Sequence, residues 1–163
     1  MTPRAGSSKI LSHDDVVARF GPGRALKLVF TNGCFDLLHA GHAEYLERAR
    51  ALGDALVVGV NTDASARRLE KSAERPYVAE ADRALIIAAL ESVDAVCLFD
   101  EDTPSALIAG LLPDVLVKGA DYTLDEVVGG DVVVAAGGRV ELIPLLEGRS
   151  TTGLVRRIRE DSE

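Results

Sequence analysis

Long hydrophobic runs are missing from this sequence: none approaches the roughly 18 residues that a membrane-spanning helix needs, and the first twenty residues lack the basic-then-apolar order of a secretion signal. A cytoplasmic protein without a membrane partner is expected. Cysteine is scarce. Cys34 is flanked by glycine and Cys97 lies inside an apolar run, and neither has a Cys or His at zinc-site spacing. A disulfide framework is therefore not expected, and no metal ligands are assigned. Positive charge is also short, with Lys plus Arg at 18 against 26 Asp plus Glu and a net charge of -8. Such a field repels polyanions and excludes broad nucleic-acid binding, although cations can still gather around a small phosphorylated ligand. Internal repeats and low-complexity stretches are absent.

The 163 residues suit one domain that buries roughly two-thirds of the surface its unfolded chain exposes. At 47% hydrophobic and 27% charged residues, the chain has a globular composition rather than a disordered one. Short β-branched runs alternate with helical patterns. Strands are expected at Leu26 to Thr31, Ala55 to Val60, Asp94 to Phe99, Asp114 to Lys118 and Val140 to Leu145. The second is apolar throughout, as in a strand covered on both faces. Helices are expected from Gly41 to Arg50, from Asp82 to Leu90, from a Thr103 cap with Pro104 in the first turn to about Gly110, and from about Ser150 onward. Asp131 to Ala136 is β-branched, but the alternation makes it a helix, ended by Gly137-Gly138. Residues 1–25 read as a tail with a short helix from Ser12 to Phe20, His13 exposed on it, and residues 26–160 as the domain proper. Strands joined through helices by short links imply an α/β fold, a doubly wound five-stranded parallel sheet with helices on both faces. Its ligands bind beyond the carboxyl ends of the strands.

The loop after the first strand, Thr31 to His42, leaves such an end and arrives at a helix N-terminus, where free N–H groups attract anions. His39 and His42 lie three apart near one face of the first turn, and Gly41 lets a phosphate approach the backbone. The loop is neither G-x-x-x-x-G-K-[ST] nor G-x-G-x-x-G, so the P-loop and dinucleotide readings lose their support.

His39-Ala40-Gly41-His42 resembles the His-x-Gly-His signature of the cytidylyltransferase-like nucleotidyltransferases, a Rossmann-like fold. Asn61-Thr62-Asp63, Arg75-Pro76, Arg83 and Glu147 to Thr152 follow in the family's order, so the resemblance covers about Lys27 to Ile158. Within it, Asp100 to Pro104, Pro113 to Tyr122 and Leu146 to Thr152 are similar to the D-glycero-beta-D-manno-heptose 1-phosphate adenylyltransferases. That resemblance implies an enzyme that joins AMP from ATP to a heptose 1-phosphate, releasing pyrophosphate and forming ADP-heptose for lipopolysaccharide. It also implies the stand-alone form, served by a separate heptose kinase; a homodimer or higher homo-oligomer is compatible with it.

The resemblance makes His39, His42 and Lys71 the catalytic candidates. Thr31, Asn32, Gly33, Phe35 and Gly41 shape the nucleotide side of the loop, and Lys118, Gly119 and Asp121 line the base and ribose pocket. Ser150, Thr151 and Thr152 offer hydroxyls and helix N-terminal amides to phosphates, and Lys71, Arg68 and Arg75 belong to a flexible basic segment that closes over the triphosphate. Arg75, Arg83 and Arg149 are substrate-binding candidates; an ordinary ion pair is an equal reading of Arg83. Asp36 orders its loop through backbone N–H groups or helps hold a metal, the first being favoured. Leu145-Leu146 stand where the glycerol-phosphate cytidylyltransferases carry Arg-Thr, which weakens a CTP reading, and Arg149 replaces an aliphatic residue.

A sugar 1-phosphate is already an anionic nucleophile, so no activating base is required. Donors, cations and Mg2+ carried by the nucleotide phosphates should stabilise the charge that gathers at the transferred group. The alternatives are a cytidylyltransferase acting on an alcohol phosphate such as glycerol 3-phosphate, and a nucleotide-binding regulatory module without turnover.

Overall fold

The computed structural model describes residues 6–69 and 72–162. Five strands, β1 (Leu28–Gly33), β2 (Ala55–Asn61), β3 (Ala95–Phe99), β4 (Val115–Gly119) and β5 (Arg139–Ile143), form one parallel sheet in the order β3-β2-β1-β4-β5. The chain winds outward from β1 to β3 and then returns to place β4 on the other side of β1. The topological switch point therefore lies between β1 and β4, where doubly wound sheets bind their ligands. Pairing there is brief. β1 matches β2 from Leu28↔Ala55 to Gly33↔Val60, but meets β4 only at Val29↔Val115 and Phe30↔Leu116. The carboxyl-terminal halves of β1 and β4 thus lie side by side without a ladder, and the crevice opens between them.

Helices α1 (His13–Phe20), α2 (Ala40–Arg50), α3 (Asp63–Leu69), α4 (Glu80–Ala89), α5 (Ser105–Leu111), α6 (Gly130–Ala135) and α7 (Thr151–Glu160) surround the sheet. The two-residue period of a strand sends Leu28 and Phe30 of β1 to one face, with Val16, Phe20, Leu107, Ile108 and Val133 from α1, α5 and α6. It sends Val29 to the other, with Leu46, Ala49, Ala84 and Ile87 from α2 and α4. At the amino ends of the strands, carboxylates close the unpaired backbone: Asp114 accepts from Leu28 N–H at 2.7 Å and Arg24 at 2.8 Å, and Asp94 from Leu56 N–H and Arg50, both at 2.8 Å.

Three elements differ from expectation. Arg68, read from sequence as part of a flexible basic segment with Lys71 and Arg75, lies in α3 (Asp63–Leu69), a helix not expected from sequence and anchored by buried Ser65 and Ala66. Thr103 does not cap α5: its hydroxyl bonds to Ser105 Oγ at 2.9 Å, and Pro104 occupies the cap position. The segment before β1 belongs to the fold from Gly6 onward. A 3-10 turn at Gly6–Lys9 leads to Ile10, which bridges Val96 of β3. Lys9 Nζ donates to Leu90 O at 3.0 Å and Val93 O at 2.7 Å, while Val16 and Phe20 are in the core. The β-branched segment is helical, as the alternation requires, and stops at Gly137 with φ +92°.

Phe20→Ala is expected to cost about 3–5 kcal/mol, the cost of a large core cavity, measured by urea unfolding with an unchanged m-value. A loss below about 1 kcal/mol, the scale of a surface change, would place α1 outside the core.

Candidate active site

An open cavity of about 1320 Å³ lies at the carboxyl ends of the strands. Its floor comes from the loop after β1 (Gly33, Phe35, His39, His42) and the end of β4 (Lys118, Gly119); the first turn of α7 and the stretch around Arg75 form a wall. The N-termini of α2 and α7 both border it, two sets of free N–H groups and two positive dipole ends facing one space.

Each histidine is fixed through Nδ1. His39 is the N-cap of α2, and its Nδ1 accepts from Gly41 N–H at 3.1 Å. His42 Nδ1 accepts from His39 N–H at 3.3 Å. An Nδ1 that accepts carries no proton, so in both neutral rings the proton sits on Nε2 as a donor. The rings stack, with centroids 3.8 Å apart and planes at 22°, and Phe35 meets His42 edge-on at 5.5 Å. Burial pushes the His42 pKa down to about 4, helped by His39 and opposed by Asp36. Burial also lowers that of His39, with Arg149 adding to the effect. The pair is thus neutral and donating at pH 7. Gly41 serves this packing directly, because a Cβ there would stand 2.9 Å from His39 Cε1 and 3.2 Å from Arg149 Cβ.

Asp36 has the ordering role. Its carboxylate accepts from Tyr77 N–H at 2.9 Å and Val78 N–H at 3.0 Å, and its carbonyl accepts from the Thr151 hydroxyl at 2.8 Å. Both carboxylate oxygens are engaged by backbone, and among the described residues no three His, Cys, Asp or Glu side chains gather as a metal cage. Among the described residues, the donors at the site do not fit a resident metal. Thr31 and Arg83 depart from expectation. Thr31 is fully buried, donates to Val117 O at 2.9 Å and bonds Tyr45 Oη at 2.7 Å, so it joins β1, β4 and α2 beneath the cavity. Arg83 is buried too: it donates to Val78 O, Cys34 O, Asn61 O and Asp63 Oδ1 at 2.6–2.9 Å. With those partners it is the ion pair, not an anion contact.

The other candidates border the cavity: Asn32, Gly33, Phe35, Gly41, Arg75 and Arg149, then Lys118, Gly119 and Asp121, then Ser150, Thr151 and Thr152. Ser150 caps α7, its Oγ accepting from Gly153 N–H at 3.0 Å. Arg75 donates to Thr152 Oγ1 at 3.2 Å. Lys118 Nζ donates to Asn32 O at 3.3 Å and stands 5.4 Å from the centre of the Tyr122 ring. Burial lowers its pKa to about 8, with Cys34 and Asp121 opposing. Arg68 instead pairs at 2.7 Å with Asp102, which lines the cavity, and is not itself a lining residue. Lys71 lies outside the described residues. Sequence reasoning missed Arg156 and Arg159, which line the cavity and lie four and seven residues beyond Thr152; projecting α7 from Thr152 would have found them. Arg159 pairs with Glu74, drawing α7 toward the stretch around Arg75.

A family model described as cytidylyltransferase-like matches residues 30–149. The chain is 60% identical over 139 residues to the bifunctional protein HldE of Geotalea uraniireducens, covering 85% of this chain and 28% of that protein. To HldE of Magnetococcus marinus it is 64% identical over 132 residues, 81% of this chain and 27% of the relative. It thus spans little more than a quarter of these relatives' length. Among solved structures, a lipopolysaccharide core biosynthesis protein from Thermoplasma volcanium is 30% identical with a TM-score of 0.63, over 77% of this chain and all of that one. A pantoate-beta-alanine ligase from Francisella tularensis, 12% identical with a TM-score of 0.55, shares the fold alone.

In the ligand-free protein the His42 ring is expected to titrate near 4 in an NMR pH series, well below the ordinary 6.5. The unfolded chain binds this proton near 6.5 and the folded one only near 4. Stability from this ring is therefore whole above the upper value and falls as pH drops through the window. A midpoint at 6.5 would contradict the buried, neutral pair.

Proposed function

The chain belongs to the cytidylyltransferase-like family of nucleotidyltransferases, and we propose that it transfers AMP from ATP to a heptose 1-phosphate, forming ADP-heptose and releasing pyrophosphate. One observation carries the reading: two Nε2–H imidazoles at the switch point, between two helix N-termini. This is a site for charge that develops on a phosphoryl group, and it needs no nucleophile of its own.

In this reaction the sugar phosphate oxygen attacks the α-phosphorus, and the bond from that phosphorus to the bridging oxygen breaks to release pyrophosphate. His39 and His42 donate hydrogen bonds to the transferred group. Because these donors are held by the backbone before substrate arrives, their alignment costs little during the reaction. Ser150, Thr151 and Thr152 serve the phosphates with the α7 N-terminus, and Arg75 and Arg149 supply charge. Lys118 and Asp121 lie beside Tyr122, a flat surface suited to a base. Lys71 stays in the proposal on the sequence resemblance alone. Magnesium enters on the nucleotide phosphates as part of the substrate. The HldE relatives are bifunctional by name, and the matched stretch corresponds to one portion of them.

Pyrophosphate release is expected to be much faster with ATP and heptose 1-phosphate than with CTP and glycerol 3-phosphate; the reverse preference would move the protein to the cytidylyltransferases that act on alcohol phosphates. His39→Ala and His42→Ala should each lower kcat by about 10² or more, as when a preorganised donor is lost, with the fold retained by circular dichroism. Near-normal turnover in both would leave the histidines as helix caps.

A further inference from the structure

The cavity has a second wall that presents oxygen acceptors. Asn61, the last residue of β2, is 2% exposed and borders the cavity. Its Nδ2 donates to Ser65 Oγ at 2.9 Å, and that hydroxyl donates onward to Glu101 O at 2.7 Å. This chain fixes the amide and leaves Oδ1 as its acceptor. Beyond β3, Asp102 gives one oxygen, Oδ1, to Arg68 Nε at 2.7 Å, while Oδ2 takes none of the described hydrogen bonds. Asn32 on β1 adds a third acceptor: its Oδ1 is buried without a partner among the described residues. All three residues border the same cavity. The cations Arg75, Arg149 and Arg156 border it from the stretch before α4 and from α7 and its approach.

The Asp102 carboxylate oxygen only accepts and repels phosphate, and the two amide oxygens add neutral acceptors beside it. Together they suit a ligand that presents several O–H donors, and a buried acceptor left empty costs free energy that such a ligand relieves. We propose that Asp102, with Asn61 completing the wall and Asn32 at its edge on β1, is the specificity-determining residue for the acceptor substrate, reading the hydroxyls of its sugar ring above β2 and β3; this moves Asn32 from the nucleotide side that the resemblance implied to the boundary between the two ligands. This rests on the proposed sugar-phosphate acceptor. It places nucleotide and sugar on opposite sides of β1, with the histidines between them. Arg68 is then a positioning residue, because its bond to Oδ1 aims Oδ2.

The test is calorimetric binding of heptose 1-phosphate, and of its single-deoxy analogues, to the protein carrying a non-hydrolysable ATP analogue. Asp102→Ala, at an exposed loop position, should weaken heptose 1-phosphate by about 10-fold or more, the loss of a hydroxyl–carboxylate bond, with the Kd of the ATP analogue changed by less than about 2-fold. One deoxy analogue should bind wild type with the same loss and bind Asp102→Ala as the parent does, which a merely structural role would not produce. An unchanged Kd in Asp102→Ala, an equal loss for the ATP analogue, or deoxy losses that persist in the variant would overturn the proposal while leaving the transferase reading intact. Wild type that holds the ATP analogue but not heptose 1-phosphate would overturn both.

Discussion

The Arg83 side chain has no exposed surface, so its guanidinium must be compensated inside the fold or the fold fails. Compensation comes from three backbone carbonyls and one carboxylate: Cys34 in the loop after β1, Asn61 at the end of β2, Val78 before α4 and Asp63 in α3. Two of those residues, Cys34 and Asn61, line the cavity. Asp36 makes the complementary arrangement with opposite charge, accepting from Tyr77 and Val78 N–H groups. The residues on either side of it, Phe35 and Leu37, adopt φ of +51° and +52°, each costing on the order of 1–3 kcal/mol. The loop holds that shape because Asp36 and Arg83 fasten it from both ends. The histidines begin two residues later, so their placement inherits this framework.

The fold supplies the rest of the site through topology. A switch point between β1 and β4, with only two residue pairs joining those strands, leaves a crevice in which loops from both halves of the sheet meet. The N-terminus of α2 enters from one half and that of α7 from the other. Neutral imidazoles suit such a place: helix termini and arginines already supply positive charge, and the rings add directed donors. The same arrangement explains why His39 resists protonation, since burial and the nearby Arg149 both disfavour a second positive charge.

Much of this was legible in the sequence, and the failures have identifiable causes. β2 announced itself by a run of apolar residues that the sheet buries on both faces, and the His-Ala-Gly-His turn by its place between a strand and a helix. α3 escaped because its seven residues expose two arginines and bury only Ser65 and Ala66, too little apolar surface for a periodic signal. Thr31 reads with Asn32 as a nucleotide contact, yet strand alternation sends neighbours to opposite faces, and Thr31 points into the layer of Tyr45. Arg83 reads in sequence equally as an anion contact or an ion pair, and the choice is not legible because three of its four partners are carbonyls from distant segments, which leave no mark in sequence. Asn61 and Asp102 stand in the sequence only as parts of motifs; that they share a wall follows from β2 and β3 being neighbours.

In the proposed placement, with nucleotide and acceptor on opposite sides of β1 and the histidine pair between them, nothing in the chain need carry the adenylyl group on the way. Direct transfer inverts the configuration at phosphorus once. The measurement that tests this most directly is the stereochemical course with an ATP α-phosphorothioate of known configuration and heptose 1-phosphate as acceptor. In-line attack across the site predicts a nucleotide sugar of inverted configuration; net retention would contradict it and require a covalent adenylyl-enzyme.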